Sequence, residues 1–179
     1  GNKDKYARDA LAEVTEYDAY FFLTDTSKGT WETEKDNDGN DYRVYECSYV
    51  DGSKQELTIA YDALKNDFFG ASIRPGVLYR ATQSFEEDGT RYITEVDVVA
   101  VVDPSSSRFN AFKAVAVGNN AFNIWNDANW NSYTTNSDTT YVLVEREPVD
   151  GKAYEAAVAN GTAYTNFKWT VTPGRLSNL

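Results

Sequence analysis

The side chains best suited to holding a ligand lie between positions 119 and 137, where Trp125, Trp130 and Tyr133 stand among Asn126, Asp127, Asn129 and Asn131. Flat aromatic rings stack on the C–H faces of a sugar, while amides and carboxylates hold its hydroxyls. Both ingredients recur in one short, loop-like stretch, so a carbohydrate site is one expectation for it. The competing expectation is structural: one Trp packs into a core and the asparagines make turns. A second candidate is Asp36-Asn37-Asp38-Gly39-Asn40-Asp41, which gathers the hard oxygen donors that Ca2+ prefers. An EF-hand loop beginning at Asp36 would need glycine sixth and a bidentate acid twelfth, and Asp41 and Cys47 occupy those places. A charged hairpin tip is therefore expected there, and no metal or cofactor is predicted.

Histidine is absent from the chain. That excludes Ser–His, Cys–His and His–zinc chemistry within a single chain and leaves acid–base work to paired carboxylates of the glycosidase kind. Glu86-Glu87-Asp88 lies on a turn, and Glu95 and Asp97 flank a strand. Such positions are ordinarily solvated, so the expectation is a non-enzymatic protein with no catalytic residues. Cys47, the sole cysteine, permits no internal disulfide and reads as a small apolar strand residue. A formal charge of −11 repels phosphate backbones and anionic membranes. Nucleic acid is thus excluded as a partner, and no apolar run approaches the roughly 18 residues of a membrane span. The lack of methionine predicts a piece of a longer protein. Asn160-Gly161-Thr162 matches a glycosylation acceptor, a pattern too short to weigh on function.

Positioning these groups falls to strands. Aromatics make up 15% of the chain, a bias that suits pleated, half-buried surfaces. Four Asp-Gly pairs, at Asp38, Asp51, Asp88 and Asp150, punctuate it, and each predicts a tight hairpin. Leu57, Ile59 and Tyr61 alternate, as do Tyr92, Thr94, Val96, Val98, Ala100 and Val102. Val99 and Val101 suggest that the latter strand becomes covered on both faces, as in a small barrel or a strand crossing between sheets. Further strands are expected at Thr139–Arg146, at Ala153–Val158 after the fourth turn, and at Ala163–Val171 with Thr165, Phe167, Trp169 and Val171 on one face. Helix is expected to be scarce, with Tyr6–Val14 reading as a short helix or an edge strand and one helical turn a candidate at Asp62–Phe69. Asp103-Pro104-Ser105-Ser106-Ser107 is the best boundary. The fold predicted is all-β, an antiparallel meander sandwich or small barrels, as two tandem domains spanning 1–103 and 104–179.

At the level of hairpins the chain resembles the repeated β-modules of large secreted proteins of anaerobic Gram-positive bacteria, the kind anchored by S-layer homology repeats. The resemblance rests on Tyr20-Phe21-Phe22-Leu23-Thr24-Asp25, on Thr139-Thr140-Tyr141-Val142-Leu143-Val144, and on Asp-Gly-x-x-Tyr turns at Asp38, Asp88 and Asp150. It implies an extracellular or cell-surface location and a structural, display or adhesive role, with a glycan or another surface protein as partner. It carries no catalytic motif.

Overall fold

The computed structural model of the chain describes residues 19–24, 32–63, 73–103, 113–125, 128–148, 150–152, 155, 159 and 167–179. Its first six strands are β1 (Tyr20–Leu23), β2 (Thr33–Lys35), β3 (Asp41–Tyr49), β4 (Lys54–Ala60), β5 (Val77–Glu87) and β6 (Thr90–Val101). Then follow β7 (Lys113–Val117), β8 (Ala121–Trp125), β9 (Trp130–Thr134), β10 (Val142–Pro148) and β11 (Phe167–Pro173). The protein is nearly all β, as its composition predicts. Among the described residues no helix is long and apolar enough to cross a membrane.

Five strands close a barrel. Neighbours run β1-β5-β6-β4-β3, and β3 returns to β1 through Phe21↔Tyr49, Phe22↔Ser48 and Leu23↔Cys47. Every pair is antiparallel except β4 with β6, where Thr58 faces Tyr92 and Ile59 faces Ile93. Counted by barrel strand the order is first, second, third, fifth, fourth, first, the Greek-key connectivity of OB-type barrels. β2 adds to the other end of the β3 edge, opposite Asp41–Arg43.

The barrel closes because alternate residues of each strand are large and apolar. Phe21, Leu23, Tyr45, Leu57, Ile59, Val77, Tyr79, Ile93 and Val96 fill its interior, and the Phe21 and Tyr79 rings stack at 5.5 Å. Cys47 packs there fully buried, and burial pushes its thiol up, so it stays protonated.

Three of the Asp-Gly pairs turn hairpins, with Gly39, Gly52 and Gly89 all at positive φ. The fourth does not. Asp150 accepts the Lys152 amide at 2.8 Å in the manner of a helix N-cap, and Gly151, Lys152, Glu155 and Ala159 are helical. Of the return strand expected at Ala153–Val158, Glu155 alone is described, and it is helical; alanine and glutamate favour that state over a strand. β10 pairs instead with β11, Val142 to Pro173 through Pro148 to Phe167. On β11, Phe167, Trp169 and Val171 are buried on one face, in the expected alternation.

The long β6 departs from strict alternation. Register shifts along the β5–β6 pair place Ile93, Val96 and Val98 with the barrel core, while Tyr92 pairs with Phe85 outside it. Each bulge moves the side chains that follow to the opposite face. Toward the strand's end both faces are indeed covered. Val99, Ala100 and Val102 pack with Tyr20, Phe22, Leu78, Val142, Val144 and Val171 in a second apolar cluster between barrel and β10–β11 ribbon. Tyr61, expected to continue the β4 alternation, lies past the strand's end, 47% exposed, with the Arg43 guanidinium 4.4 Å over its ring.

The ribbon is also tied to the barrel at one corner. Arg146 Nη1 donates to Asp103 Oδ1 at 2.7 Å, and Asp103 is fully buried. Residues 104–110, with Pro104 and the three serines of the expected boundary, lie outside the described residues. So do the helix candidate Tyr6–Val14, residues 64–69 of the second one, Trp31 and Thr165.

Candidate functional site

The aromatic and asparagine-rich stretch is not a loop. β7, β8 and β9 form an antiparallel meander through it, with Val115 opposite Asn123, Asn123 opposite Ser132, and Trp125 opposite Trp130. Asparagines hid the alternation, but period 2 still divides the side chains between two faces. Val115, Val117, Asn123, Trp125, Trp130 and Ser132 share one face. Ala114, Ala116, Phe122, Ile124, Asn131 and Tyr133 share the other.

The predicted site residues are therefore separated. Trp125 and Trp130 stand side by side, ring centroids 5.5 Å apart and planes inclined at 51°. Tyr133 stacks on the buried Phe122 on the opposite face, at 5.2 Å and 16°, and Asn131 is on that face too. Asn129 lies in the β8–β9 connection, exposed. Asn126 and Asp127 lie outside the described residues. The register thus sets Trp125 and Trp130 on one face of the meander and Tyr133 and Asn131 on the other.

What remains on the first face is an uncovered apolar surface. Val115 is 50% exposed, Val117 48% and Trp130 50%. Ser132 Oγ donates to Asn123 Oδ1 at 2.7 Å in their midst, which leaves the Asn123 amide hydrogens directed elsewhere. The valines escaped notice in the sequence because two exposed valines in a five-residue strand look like core.

A cleft of about 760 Å3 opens elsewhere, between the β7–β8 turn, residues 135–141 and the 3₁₀ turn Leu176–Asn178. Among the described residues its lining includes asparagine, serine, threonine, tyrosine and arginine but no carboxylate.

The acidic stretch Asp36–Asp41 is a hairpin tip, bonded within itself. Asp36 Oδ1 accepts the amides of Asp38 at 3.0 Å and Asn40 at 2.9 Å. Its Oδ2 accepts Asn40 Nδ2 at 2.9 Å and the Tyr42 hydroxyl at 3.0 Å. The Asn40 side chain, aided by its amide, Tyr42 and the Asp38 amide, holds the Asp36 carboxyl below its usual range. These oxygens are engaged by protein donors, and among the described residues no group of histidine, cysteine and acid side chains could hold a metal ion. The tip also meets the β5–β6 turn, where the Asn37 amide donates to Glu87 Oε1 at 2.7 Å.

Beneath that tip, Tyr42 packs edge-on against Tyr92 at 4.7 Å. Burial first, and the bond to Asp36 second, raise its hydroxyl from 10.0 to about 12. A group whose pKa is raised by folding stabilises fully below its unfolded value and loses that contribution as pH rises through the folded one. Denaturant midpoints are therefore expected to fall between pH 10 and about 12, with Tyr42→Phe shallower over that window. A variant as steep as the parent protein in a pH series of unfolding curves would contradict this assignment.

No protein family, curated protein or solved structure matches this chain.

Proposed function

We propose that the protein is a non-enzymatic interaction module of a larger bacterial surface or secreted protein, one that docks on another protein through the outer face of β7–β8–β9. The observation that carries this reading is the exposure of Val115, Val117 and Trp130 beside Trp125 on one strand-held surface. Large apolar groups left uncovered together cost solvation free energy that a partner recovers on binding, and Trp is the residue most enriched among binding hot spots. The barrel and its ribbon serve as the spacer that carries this face. A spacing, display or adhesive role follows, in an extracellular or surface setting. The acidic hairpin tips at Asp36, Asp38, Glu87 and Asp88 sit at the barrel end where OB-type folds approach oligonucleotides, and their charge opposes phosphate.

A glycan is the second reading, favoured by one specific feature. Asn123 and Ser132 lie on the same face as the tryptophans and offer groups for sugar hydroxyls. Against it, rings inclined at 51° do not give consecutive sugars a common plane, whereas branched valines suit an apolar protein surface.

Hydroxyl-radical footprinting of the longer parent protein in its native assembly, against this piece alone, separates the two. Trp125 and Trp130 are expected to be oxidised in the isolated piece and protected in the assembly. Replacing Trp130 with alanine is expected to weaken assembly by about 2 kcal/mol, some thirtyfold. Equal oxidation in both settings would overturn the docking reading. A shift of tryptophan fluorescence on titration with one member of a neutral glycan panel would then move the face to the glycan reading.

A further inference from the structure

We propose that the cleft beside the 3₁₀ turn is a binding site for a carboxylate-bearing saccharide. It is separate from the docking face and does not rest on that reading, because the β7 residue in its wall, Ala116, alternates to the opposite side of the sheet from Val115 and Val117. Three asparagines, Asn119, Asn120 and Asn136, line it together with Ser137, Tyr141 and Arg175. Amides and hydroxyls in that number match a ligand rich in hydroxyl groups, and a volume near 760 Å3 lies within the range of small-molecule sites.

The walls are held in place by their own backbone. Thr135 N donates to Asn120 O at 2.7 Å, which ties the β7–β8 turn to the segment after β9. Gly174 N donates to Tyr141 O at 2.8 Å, and Arg175 N donates to Asn178 Oδ1 at 2.7 Å. Asn136 Oδ1 accepts the Asp138 amide at 2.9 Å, which fixes that side chain and leaves its amide hydrogens for a ligand. Walls tied in this way, with the Asn136 side chain fixed among them, lose little freedom on binding.

Arg175 decides the ligand's charge. Arg80 and Arg146 pair with Asp97 and Asp103, yet among the described residues Arg175 forms no ion pair, in a chain of net charge −11. It stands exposed at a cleft whose lining, among the described residues, contains no acid. A planar guanidinium fits a single carboxylate through two parallel hydrogen bonds. Densely charged polyanions are disfavoured by the rest of the surface, so a sugar acid with isolated carboxylates fits better than a phosphate polymer.

Titration calorimetry with digalacturonic acid and with its methyl ester tests this. Saturable binding of the acid is expected, with the ester about tenfold weaker or more, and with affinity falling as salt rises. Arg175→Gln should lose about tenfold and Arg175→Lys less, while Trp130→Ser should bind the acid unchanged. Unfolding curves for Arg175→Gln should match the parent protein, because the side chain is exposed. Equal affinity for acid and ester, full affinity in Arg175→Gln, or no saturable heat with the acid would each overturn the proposal. Loss of binding in Trp130→Ser would also overturn it, since the ligand would then occupy the docking face.

Discussion

Replacing Arg146 with alanine is expected to lower stability by about 3–5 kcal/mol, the cost of leaving a buried charge without its partner. Asp103, just past the end of β6, has no solvent exposure, and its Oδ1 accepts from the Arg146 guanidinium at 2.7 Å. The same guanidinium lies 4.1 Å over the Phe167 ring and 5.9 Å from that of Trp169. One side chain thus neutralises the barrel's buried carboxylate and forms part of the ribbon's own packing. Truncation removes both roles, against a total stability of about 5–15 kcal/mol for a typical domain. Arg146→Lys keeps the charge but not the planar fork or the stacking, so an intermediate loss is expected. Asp103→Asn combined with Arg146→Ala should be less damaging than the sum of the two, because the orphaned charge is gone. A double-mutant cycle from denaturant midpoints measures this, and a loss below about 1 kcal/mol for Arg146→Ala, the level of an exposed pair, would refute the lock.

Gly76→Ala strikes the same corner from the other side and is expected to cost about 2–5 kcal/mol, combining overpacking with a left-handed backbone. Gly76 has φ +78°, and a Cβ there would lie 2.5 Å from Asp103 Cβ and 2.8 Å from Trp169 Cη2. Neither neighbour can give way freely. Asp103 is held by Arg146, and Val102 N and Asp103 N both donate to Gly76 O, at 2.8 and 3.1 Å. Trp169 is buried on β11. Gly89→Ala provides the control, for Gly89 has φ +80° with no atom within 4 Å of a new Cβ. It should lose only the backbone share, about 1–2 kcal/mol. Thermal or denaturant unfolding of the two variants separates clash from strain, and equal losses would mean that the corner tolerates a methyl group.

Much of the scaffold was legible because its signals are local. Asp-Gly before strand-like residues announced the turns at Gly39, Gly52 and Gly89, and the alternation of Phe167, Trp169 and Val171 announced the buried face of β11. Where one local signal serves two structures, reading failed. Asp150-Gly151 looks like the other three turns, yet Asp150 accepts the Lys152 amide as a helix cap does, and Gly151, Lys152, Glu155 and Ala159 are helical. The β6 bulges also escaped, since register depends on the strand alongside and not on the strand itself.

The site divides in the same way. Sequence alone picked out Trp125 and Trp130 and, through the absence of histidine, narrowed the acid–base chemistry open to the chain. It could not say that Tyr133 and Asn131 leave the tryptophans for the opposite face, because one residue of phase inside a strand reverses a side chain. Nor could it join Asn120, Asn136 and Arg175, which lie up to 55 positions apart and meet only when the β7–β8 turn, the approach to β10 and the chain's last turn converge. Composition and period are properties of neighbours along the chain, and they determined an all-β protein rich in aromatics. The lock at Asp103 and Arg146, the uncovered valine–tryptophan face and the polar cleft arise from contacts between distant segments. Those follow from how barrel, ribbon and meander pack, which only the tertiary structure decides.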